Sequence, residues 1–377
     1  MAHQPSKLPW HPIPSSKTTC EVHLLQAGGL MLPEDLVLLP APNKPNASVN
    51  SLKNEDKFVK FYVPDYCFLI YHPPTKAHYI FDLGMRKDLE NLPPFLVKHV
   101  LPSYDCTPRS PAEILKEYGS QEQQPEKIKA AIFSHMHFDH VGDGGKAGFT
   151  NAELWVGPTC CTYARPGYPV KEDAPTLTEN LPTDGSRKIV EPFISDEMLE
   201  KAGDARAGKV KNAKDAGMYE AVDLSVPGAK GWIGLGSFDR AFDVFGDGSA
   251  YLVDAPGHSA GHQMMLIRVK SSPSSSENDD FVLLAGDCYH HPALLEDPDR
   301  TARPPYSKGG MHTEPEIAIE TMKRTRVFSQ QDNILILGAH DFGVGEAIAH
   351  SKKEIEGLVY INDWRKRGWK KSPQASL

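Results

Sequence analysis

The fold is decided by the stretch AIFSHMHFDHVG, residues 131–142, which opens on an apolar run typical of a β-strand. The run delivers three histidines and one carboxylate within six positions, and a glycine-rich turn follows. Side chains two residues apart in an extended segment point the same way, so His135 and His137 can hold one metal ion as a pair. Asp139 and His140 fall where the chain turns away, and they face a second point nearby. One loop therefore predicts parts of two metal sites.

A structural role for these histidines is the alternative, because an isolated histidine in a protein is usually a core or surface residue. Four candidate ligands in six positions argue against that alternative. Unpaired imidazoles and carboxylates are costly to bury together, and metal binding removes the cost. Imidazole nitrogen and carboxylate oxygen are donors that zinc and other first-row ions accept. We interpret the stretch as a metal-binding loop.

The composition is that of an ordinary globular protein, with 377 residues, 40% of them hydrophobic and 24% charged. A net charge of −8 disfavours nucleic acid as a partner. The basic run at residues 364–371 is typical of a solvated helix end or tail. Six cysteines without C-x-x-C spacing favour a reducing compartment. Residues 1–20 lack the apolar core of a secretory signal, and no apolar run approaches the roughly 20 residues that span a bilayer. We expect a soluble, cytoplasmic protein that acts alone or as a homodimer.

The organisation along the chain is mixed α/β, with one principal domain at residues 58–345. Residues 1–57 are interpreted as an N-terminal arm with the first strands, and residues 346–377 as a C-terminal helix and tail. The segment at about 159–231 is polar and lacks metal-ligand spacing, which indicates an inserted cap over the site. A strand and a turn are predicted from Cys20, further strands are predicted at 35–39, 58–71, 79–81, 128–133, 151–156, 241–254, 264–269, 281–285 and 333–337, and predicted helices begin at Ser110 and near Glu314.

Three further strands end in a small residue followed by a residue of ligand type. These ends supply His258, Asp287 and His340. Strand ends that meet along one sheet edge are where open sheets with helical outer layers place their sites. Together with the loop they give seven ligands, which is what two metal ions with shared coordination need.

The loop matches the H-x-H-x-D-H motif of the metallo-β-lactamase superfamily, and the chain resembles hydrolases of that superfamily. Within it, several strings resemble the N-acyl homoserine lactonase branch. The resemblance covers roughly residues 58–160 and 238–345, and its strings are Tyr71-His-Pro, Phe81-Asp-Leu-Gly84, the loop from His137 to Asp143, Pro256-Gly-His-Ser-Ala-Gly-His-Gln263 and Gly338-Ala-His-Asp341.

The resemblance implies a four-layer αββα sandwich with a dinuclear site at one edge, filled by two divalent ions, with zinc expected. Asp82 would brace the metal loop from behind the ligands, and His262 would structure its own turn. The implied ligands are His135, His137 and His258 for the first ion and Asp139, His140 and His340 for the second, with Asp287 bridging the two.

The same resemblance implies the mechanism. Two divalent ions make a bridging hydroxide available as the nucleophile at neutral pH and polarise the substrate carbonyl. Asp139 would shuttle the proton from nucleophile to leaving oxygen. The lactonases place a tyrosine three residues after the bridging aspartate, whereas this chain has Tyr289 two residues after it and His290 three residues after it. Both are candidates to assist the substrate oxygen.

The expected function is hydrolysis of a small lactone or similar cyclic ester, and a lactam or thioester hydrolase is the alternative. Nuclease branches are disfavoured by the charge. The glutathione-thioester branch is disfavoured because it usually adds a helical C-terminal domain. The redox branch is disfavoured because it replaces the second loop histidine by glutamate, whereas His137 is present here. A non-catalytic binding member is the alternative from another class, and the complete ligand set argues against it.

Overall fold

The computed structural model describes residues 8–40, 59–144, 146, 148–192, 194, 197, 200, 231–272, 279–349 and 354–370. Two β-sheets stack on each other within these residues. The strands are β1 Glu21–Pro33, β2 Lys60–His72, β3 Ala77–Phe81, β4 Asp105–Pro108, β5 Ile128–Ile132, β6 Glu153–Trp155, β7 Ile189–Val190, β8 Trp232–Leu235, β9 Phe238–Asp243, β10 Ala250–Asp254, β11 Gln263–Lys270, β12 Asp280–Gly286, β13 Ile334–Gly338 and β14 Val359–Tyr360.

The helices of the described residues are short apart from one near the end of the chain. They are α1 Glu34–Val37, α2 Pro94–His99, α3 Pro111–Tyr118, α4 Cys160–Ala164, α5 Pro292–Glu296, α6 Pro315–Ser329 and α7 Phe342–Ala349. Single 3₁₀ turns lie at Leu89–Asn91, Leu101–Ser103, Gln121–Gln123, Pro125–Lys127, Thr178–Asn180 and Pro298–Arg300. Within the part of the chain that the structure describes, no helix has both the length and the apolarity that crossing a bilayer requires.

The strand order brings the metal-loop strand and the strands with the other ligands to one edge. The first sheet runs β14-β1-β2-β3-β5-β6-β7, with β4 paired to β1, and the second runs β13-β12-β11-β10-β9-β8. Strands β3 and β5 are parallel, and so are β12 and β13. Strand β10 is antiparallel to β11, which is antiparallel to β12, so β10 ends on the same side as β12. The ends that carry the predicted ligands therefore meet.

Alternating side chains build the layers. In β2, Phe68 and Ile70 enter the core between the two sheets, whereas Leu69 packs on the outer face of the first sheet with α3. In β12, Leu284 enters the same central core, and Leu283 packs on the outer face of the second sheet with α6. Because successive strand residues point to opposite faces, this alternation gives the predicted order of helix, sheet, sheet and helix.

The strand predicted from Cys20 is present as β1, which pairs with β2 along most of its length and so joins the first sheet. The predicted strand at 35–39 was wrong, because Glu34–Val37 is a helical turn. Pro33 enters it in extended conformation, and Glu34 and Asp35 put two acidic side chains in its first turn, where they favour a helix start.

The segment at 159–231 is described only in part, since residues 201–230 lie outside the described residues. Its strand β7 pairs in parallel with β6 and extends the first sheet, and the inserted cap stays a prediction. The C-terminal helix begins at Phe342, and β14 then adds to β1 at the sheet edge. Trp364, at the start of the basic run, is 1% exposed, so this end of the run is anchored in the core rather than solvated.

Both predicted helices are present. Helix α3 follows Ser110, with Pro111 at its first position, and the Gly119 N–H bonds back to Leu115 at its end. The Ser110 side chain makes no capping hydrogen bond to the described residues of this helix, and Glu113 pairs with Lys87. Helix α6 occupies Pro315–Ser329, as expected from the sequence.

Candidate metal centre

The metal-binding loop leaves β5 and is held by the turn that follows β3. Asp82 adopts the left-handed conformation, with φ of 62°, and its carboxylate accepts hydrogen bonds from Ser134 N at 2.6 Å and Ser134 Oγ at 2.7 Å. Backbone bonds join Leu83 N to His140 O at 2.8 Å and Gly142 N to Gly84 O at 2.8 Å. The loop is therefore fixed at both ends before any ligand is considered.

Three imidazoles and one carboxylate converge on a first point. The Nε2 atom of His258 lies 3.0 Å from Nε2 of His135 and 3.0 Å from Nδ1 of His137. Oδ2 of Asp287 lies 3.4 Å from the same His258 nitrogen. His137 is the partly exposed member, whereas the other three are buried. We define these four residues as cluster 1.

A second group converges beside the first. Nε2 of His340 lies 3.4 Å from Oδ2 of Asp139 and 3.3 Å from Oδ1 of Asp287. Nε2 of His140 lies 3.2 Å from that same Asp287 oxygen. We define Asp139, His140, His340 and Oδ1 of Asp287 as cluster 2. The two oxygens of Asp287 thus face different clusters, and all seven sequence-predicted ligands are brought together.

The donor set fits divalent metal ions. Although Nε2 of His140 and Oδ1 of Asp287 lie 3.2 Å apart, both are buried and neither forms a hydrogen bond with any described residue, which is unfavourable unless something else satisfies them. Donors about 2.0 Å from a tetrahedral zinc ion lie roughly 3.3 Å apart, close to the separations within each cluster. Each cluster could therefore hold one ion.

Electrostatics favour the protonation states that cluster 1 needs. Burial lowers the pKa of His135 and His258 well below the ordinary value, and neighbouring imidazoles lower it further. Burial alone would raise the pKa of Asp287, but His140 and His340 hold it well below its usual range. In cluster 2, burial opposes a rise in the pKa of His140 and His340, yet Asp287 raises both well above normal. Ions entering cluster 2 would therefore have to displace protons.

Several ligand imidazoles have their second nitrogen held from outside. Nδ1 of His140 lies 2.9 Å from Oδ2 of Asp82, and Nδ1 of His340 lies 2.8 Å from the carbonyl of Pro64. Nδ1 of His135 lies 3.0 Å from Ser134 Oγ. An acceptor at Nδ1 keeps the proton there and leaves Nε2 free for a metal. The bracing role predicted for Asp82 matches these contacts.

His262 structures its turn, as predicted. Its Nδ1 lies 2.7 Å from the carbonyl of Ala255, and its Nε2 accepts a hydrogen bond from Asp287 N at 3.1 Å. The proton therefore sits on Nδ1. His262 binds the strand end that carries the shared carboxylate, so it sets the position of Asp287.

The two candidates after Asp287 take different positions. The Tyr289 hydroxyl donates to Oδ2 of Asp341 at 2.9 Å, and its ring packs against Gly338, so the structure does not bring this hydroxyl to the clusters. His290 is brought to them, with its Nε2 3.1 Å from Oδ2 of Asp287. Its Nδ1 is buried and has no hydrogen-bond partner in the part of the chain that the structure describes. Of the two, His290 is the one positioned beside the donors.

Two residues near the site were missed from the sequence. His312 lies with its Nδ1 3.2 Å from Nδ1 of His258, and it precedes α6 rather than following a strand. Asp65 lies inside β2, fully buried, and among the described residues neither of its carboxylate oxygens has a hydrogen-bond partner. The sequence signal for Asp65 was a charge within an apolar strand, and His312 carried no comparable signal.

Comparison with known proteins supports the resemblance that the loop motif indicates. A sequence model of the metallo-beta-lactamase superfamily matches residues 64–147. The cytochrome P450 monooxygenase mpaDE of Penicillium roqueforti is 31% identical over 95% of this chain, and the chain spans only 37% of the length of that relative. The gamma-lactamase MBL2 of Gibberella moniliformis is 32% identical, over 56% of this chain and 70% of the relative.

A solved structure shows the same fold. An N-acyl homoserine lactone hydrolase with the product N-hexanoyl-L-homoserine at its metal centre superposes with a TM-score of 0.53 and 20% identity. The match covers 90% of this chain and 100% of that one. With the family match and the gamma-lactamase relative, this means that the chain belongs to the metallo-β-lactamase superfamily, as its loop motif predicts.

Proposed function

We propose that the chain is a dinuclear metal-dependent hydrolase that opens a small lactone ring. One observation carries the proposal: the two oxygens of Asp287 face two clusters of buried donors, 3.4 Å from His258 Nε2 on one side and 3.2 Å from His140 Nε2 on the other. A carboxylate shared in this way suits two adjacent divalent ions. Imidazole and carboxylate donors favour zinc, and manganese, cobalt and iron are compatible with them.

Two divalent ions, when bound, supply a hydroxide nucleophile at neutral pH and withdraw electrons from the substrate carbonyl. The net reaction joins the oxygen of water to the carbonyl carbon, breaks the bond from that carbon to the ring heteroatom, and leaves one proton on the heteroatom. The protein has to orient the ring and move that proton.

Two side chains are positioned to handle the proton. Asp139 lies in cluster 2, with Oδ2 3.4 Å from His340 Nε2 and Oδ1 3.9 Å from His140 Nε2, and we assign it the role of proton shuttle. His290 lies on the cluster 1 side with Nε2 3.1 Å from Asp287 Oδ2. We assign His290 to hydrogen bonding with the substrate oxygen or with the departing heteroatom.

Lactam opening is the second candidate, and the 32% identity to a gamma-lactamase favours it. An amide leaves as an amine, which needs a proton more urgently than an alcohol does. His290, whose Nε2 lies 3.1 Å from Oδ2 of Asp287, is the side chain that we assign to deliver this proton. Measured activity on a lactone and on a lactam therefore decides between a cyclic ester and a cyclic amide as the substrate.

A reducing compartment fits the cysteines. All six thiols are unpaired in the structure, which is the usual state of cysteines in the cytoplasm. We retain a cytoplasmic location as part of this proposal.

The test compares the wild type with Asp287→Ala, and Asp105→Ala, which removes an exposed carboxylate of β4, serves as control. Elemental analysis of protein purified without chelator is combined with γ- and δ-lactones of varied acyl length, a γ-lactam and a thioester. We expect two ions per chain and ring opening in the wild type and control. Asp287→Ala should lose both metal affinity and ring-opening activity. Each loss should exceed the roughly 10–100-fold effect expected for residues that hydrogen-bond to the ligands.

The outcomes separate the alternatives. Two ions with lactam but no lactone turnover would select the second candidate, and two ions with no turnover on the panel would overturn ring opening. An absence of bound metal in the wild type would support a non-catalytic member of the superfamily.

A further inference from the structure

His312 approaches the metal centre from a segment that holds none of the seven ligands. It is buried, and its Nδ1 lies 3.2 Å from Nδ1 of His258, with the two rings at 84° to each other. The backbone fixes the pair, because Thr313 N donates to His258 O at 2.9 Å and Glu314 N donates to Gly257 O at 2.9 Å. The His258 turn and the start of α6 are thus joined by two backbone bonds beside the side-chain contact.

The position of His258 decides which nitrogen carries its proton. Its Nε2 lies 3.0 Å from His135 Nε2 and 3.0 Å from His137 Nδ1. A metal ion in cluster 1 needs a lone pair on that Nε2, so the proton of neutral His258 has to be on Nδ1. The contact nearest to that proton is Nδ1 of His312. His312 must then accept, and its own proton lies on Nε2.

We propose that His312 is a positioning residue for the metal centre, accepting the Nδ1 proton of His258 and so fixing His258 in the tautomer and orientation that bind metal. The inference rests on the proposed metal centre and deepens it. The other ligand histidines with a held Nδ1 use an aspartate, a serine hydroxyl or a backbone carbonyl. His258 uses a second imidazole, which is a weaker and more directional acceptor than a carboxylate.

A third ion is the competing explanation for this contact. His258, His290 and His312 lie close enough together to hold one. Such an ion would require His258 to give up its Nδ1 proton as well as its Nε2 lone pair, and the neighbouring carboxylate of Asp287 already faces clusters 1 and 2 with its two oxygens. A hydrogen bond satisfies the same atoms without either requirement.

The test uses His312→Leu and His312→Asn. Both side chains fill much of the space of the imidazole, but only the asparagine Oδ1 can accept from His258 Nδ1. Thr313→Ala is the control from the same segment, because its side chain is exposed and its backbone bond is kept. The measurements are the affinity for each ion by chelator competition, the metal content, and the visible absorption spectrum of the Co²⁺-loaded protein.

We expect His312→Leu to bind one of the ions roughly 10–100-fold more weakly, with an altered Co²⁺ spectrum. His312→Asn should restore most of the affinity and the wild-type spectrum, and Thr313→Ala should change neither. Leucine and asparagine variants with equal affinities and unaltered spectra would overturn the role of His312. A third ion in the wild type, lost in His312→Leu, would overturn it in favour of a metal site. A wild type without metal would instead refute the proposed function.

Discussion

Asp82 and His140 are 58 positions apart in the sequence and are joined by a 2.9 Å contact between Oδ2 and Nδ1. The same carboxylate accepts from both the backbone N–H and the hydroxyl of Ser134. Asp82 therefore links the end of β3 to both ends of the six-residue ligand motif, and it determines which nitrogen of His140 is available to a metal.

Asp82→Asn should keep the fold and weaken cluster 2. Asparagine tolerates the left-handed conformation of this position, so the backbone is not strained. Its amide N–H₂ would face the Ser134 hydroxyl or His140 Nδ1 and favour the wrong His140 tautomer. We expect one ion to bind roughly 10–100-fold more weakly, measured by chelator competition. Asp105→Asn, an exposed carboxylate on β4, is the control, and equal affinities in the two variants would refute the bracing role.

His290→Gln and Tyr289→Phe should separate two neighbouring residues with different roles. If His290 supplies the proton or hydrogen bond at the substrate, His290→Gln should lower kcat roughly 100-fold or more, with two ions still bound. Tyr289→Phe should leave kcat near that of the wild type. It should lower the free energy of unfolding by about 1–3 kcal/mol, because the buried Asp341 loses a donor. The reverse pattern in steady-state kinetics would assign the substrate contact to Tyr289.

The convergence of the seven candidate ligands could be predicted because the information is local. Four of the seven ligands lie in one six-residue stretch, and the strand ends at His258, Asp287 and His340 each follow a recognisable apolar run. Strands that run in the same direction, as neighbours or as every second strand of an antiparallel sheet, end at the same edge of the sheet regardless of the loops between them. The prediction thus depended on strand direction alone, and the structure has those directions.

What could not be predicted depends on contacts between distant segments. His312 follows no strand, and its role requires knowing that the start of α6 packs against the His258 turn. The helical turn at Glu34–Val37 runs into a short apolar stretch at 36–39 that equally fits a strand, and the two acidic residues of its first turn favour the helical start. The two-residue strand β7 has too little pattern of its own and exists because β6 offers it an edge.

Asp65→Asn should remove a pH dependence of stability. Burial raises the pKa of Asp65 from 3.8 to about 8, partly offset by His140 and His340, and neither oxygen has a hydrogen-bond partner. A pKa higher in the folded state means that this group's contribution is complete below about pH 4 and is lost as pH rises towards 8. The native state binds more protons in that window, so stability falls by up to about 1.4 kcal/mol per pH unit.

The Asp65→Asn measurement is urea unfolding of metal-free protein between pH 4 and 8, since bound cations would lower the pKa of a nearby carboxyl. We expect the stability of Asp65→Asn relative to the wild type to rise steadily across this range. Asp332→Asn, which replaces an exposed carboxyl, should run parallel to the wild type. Parallel curves for Asp65→Asn as well would mean that Asp65 is ionised in the folded protein.

Gly257→Ala should disrupt the His258 turn by steric overlap. Gly257 has φ of 115°, and an added Cβ would lie 2.2 Å from the backbone nitrogen of Ala318 in α6. Gly185, with φ of 78° and no heavy atom within 4 Å of an added Cβ, isolates the cost of the backbone conformation. Gly185→Ala should therefore lose only about 1–2 kcal/mol of unfolding free energy. Gly257→Ala should lose roughly 1–3 kcal/mol more, because a backbone atom has to move.

That movement displaces His258 from cluster 1, so Gly257→Ala should also bind one ion more weakly while Gly185→Ala binds both normally. Equal unfolding free energies and equal metal affinities for the two variants would show that the turn can shift away from α6 without moving His258.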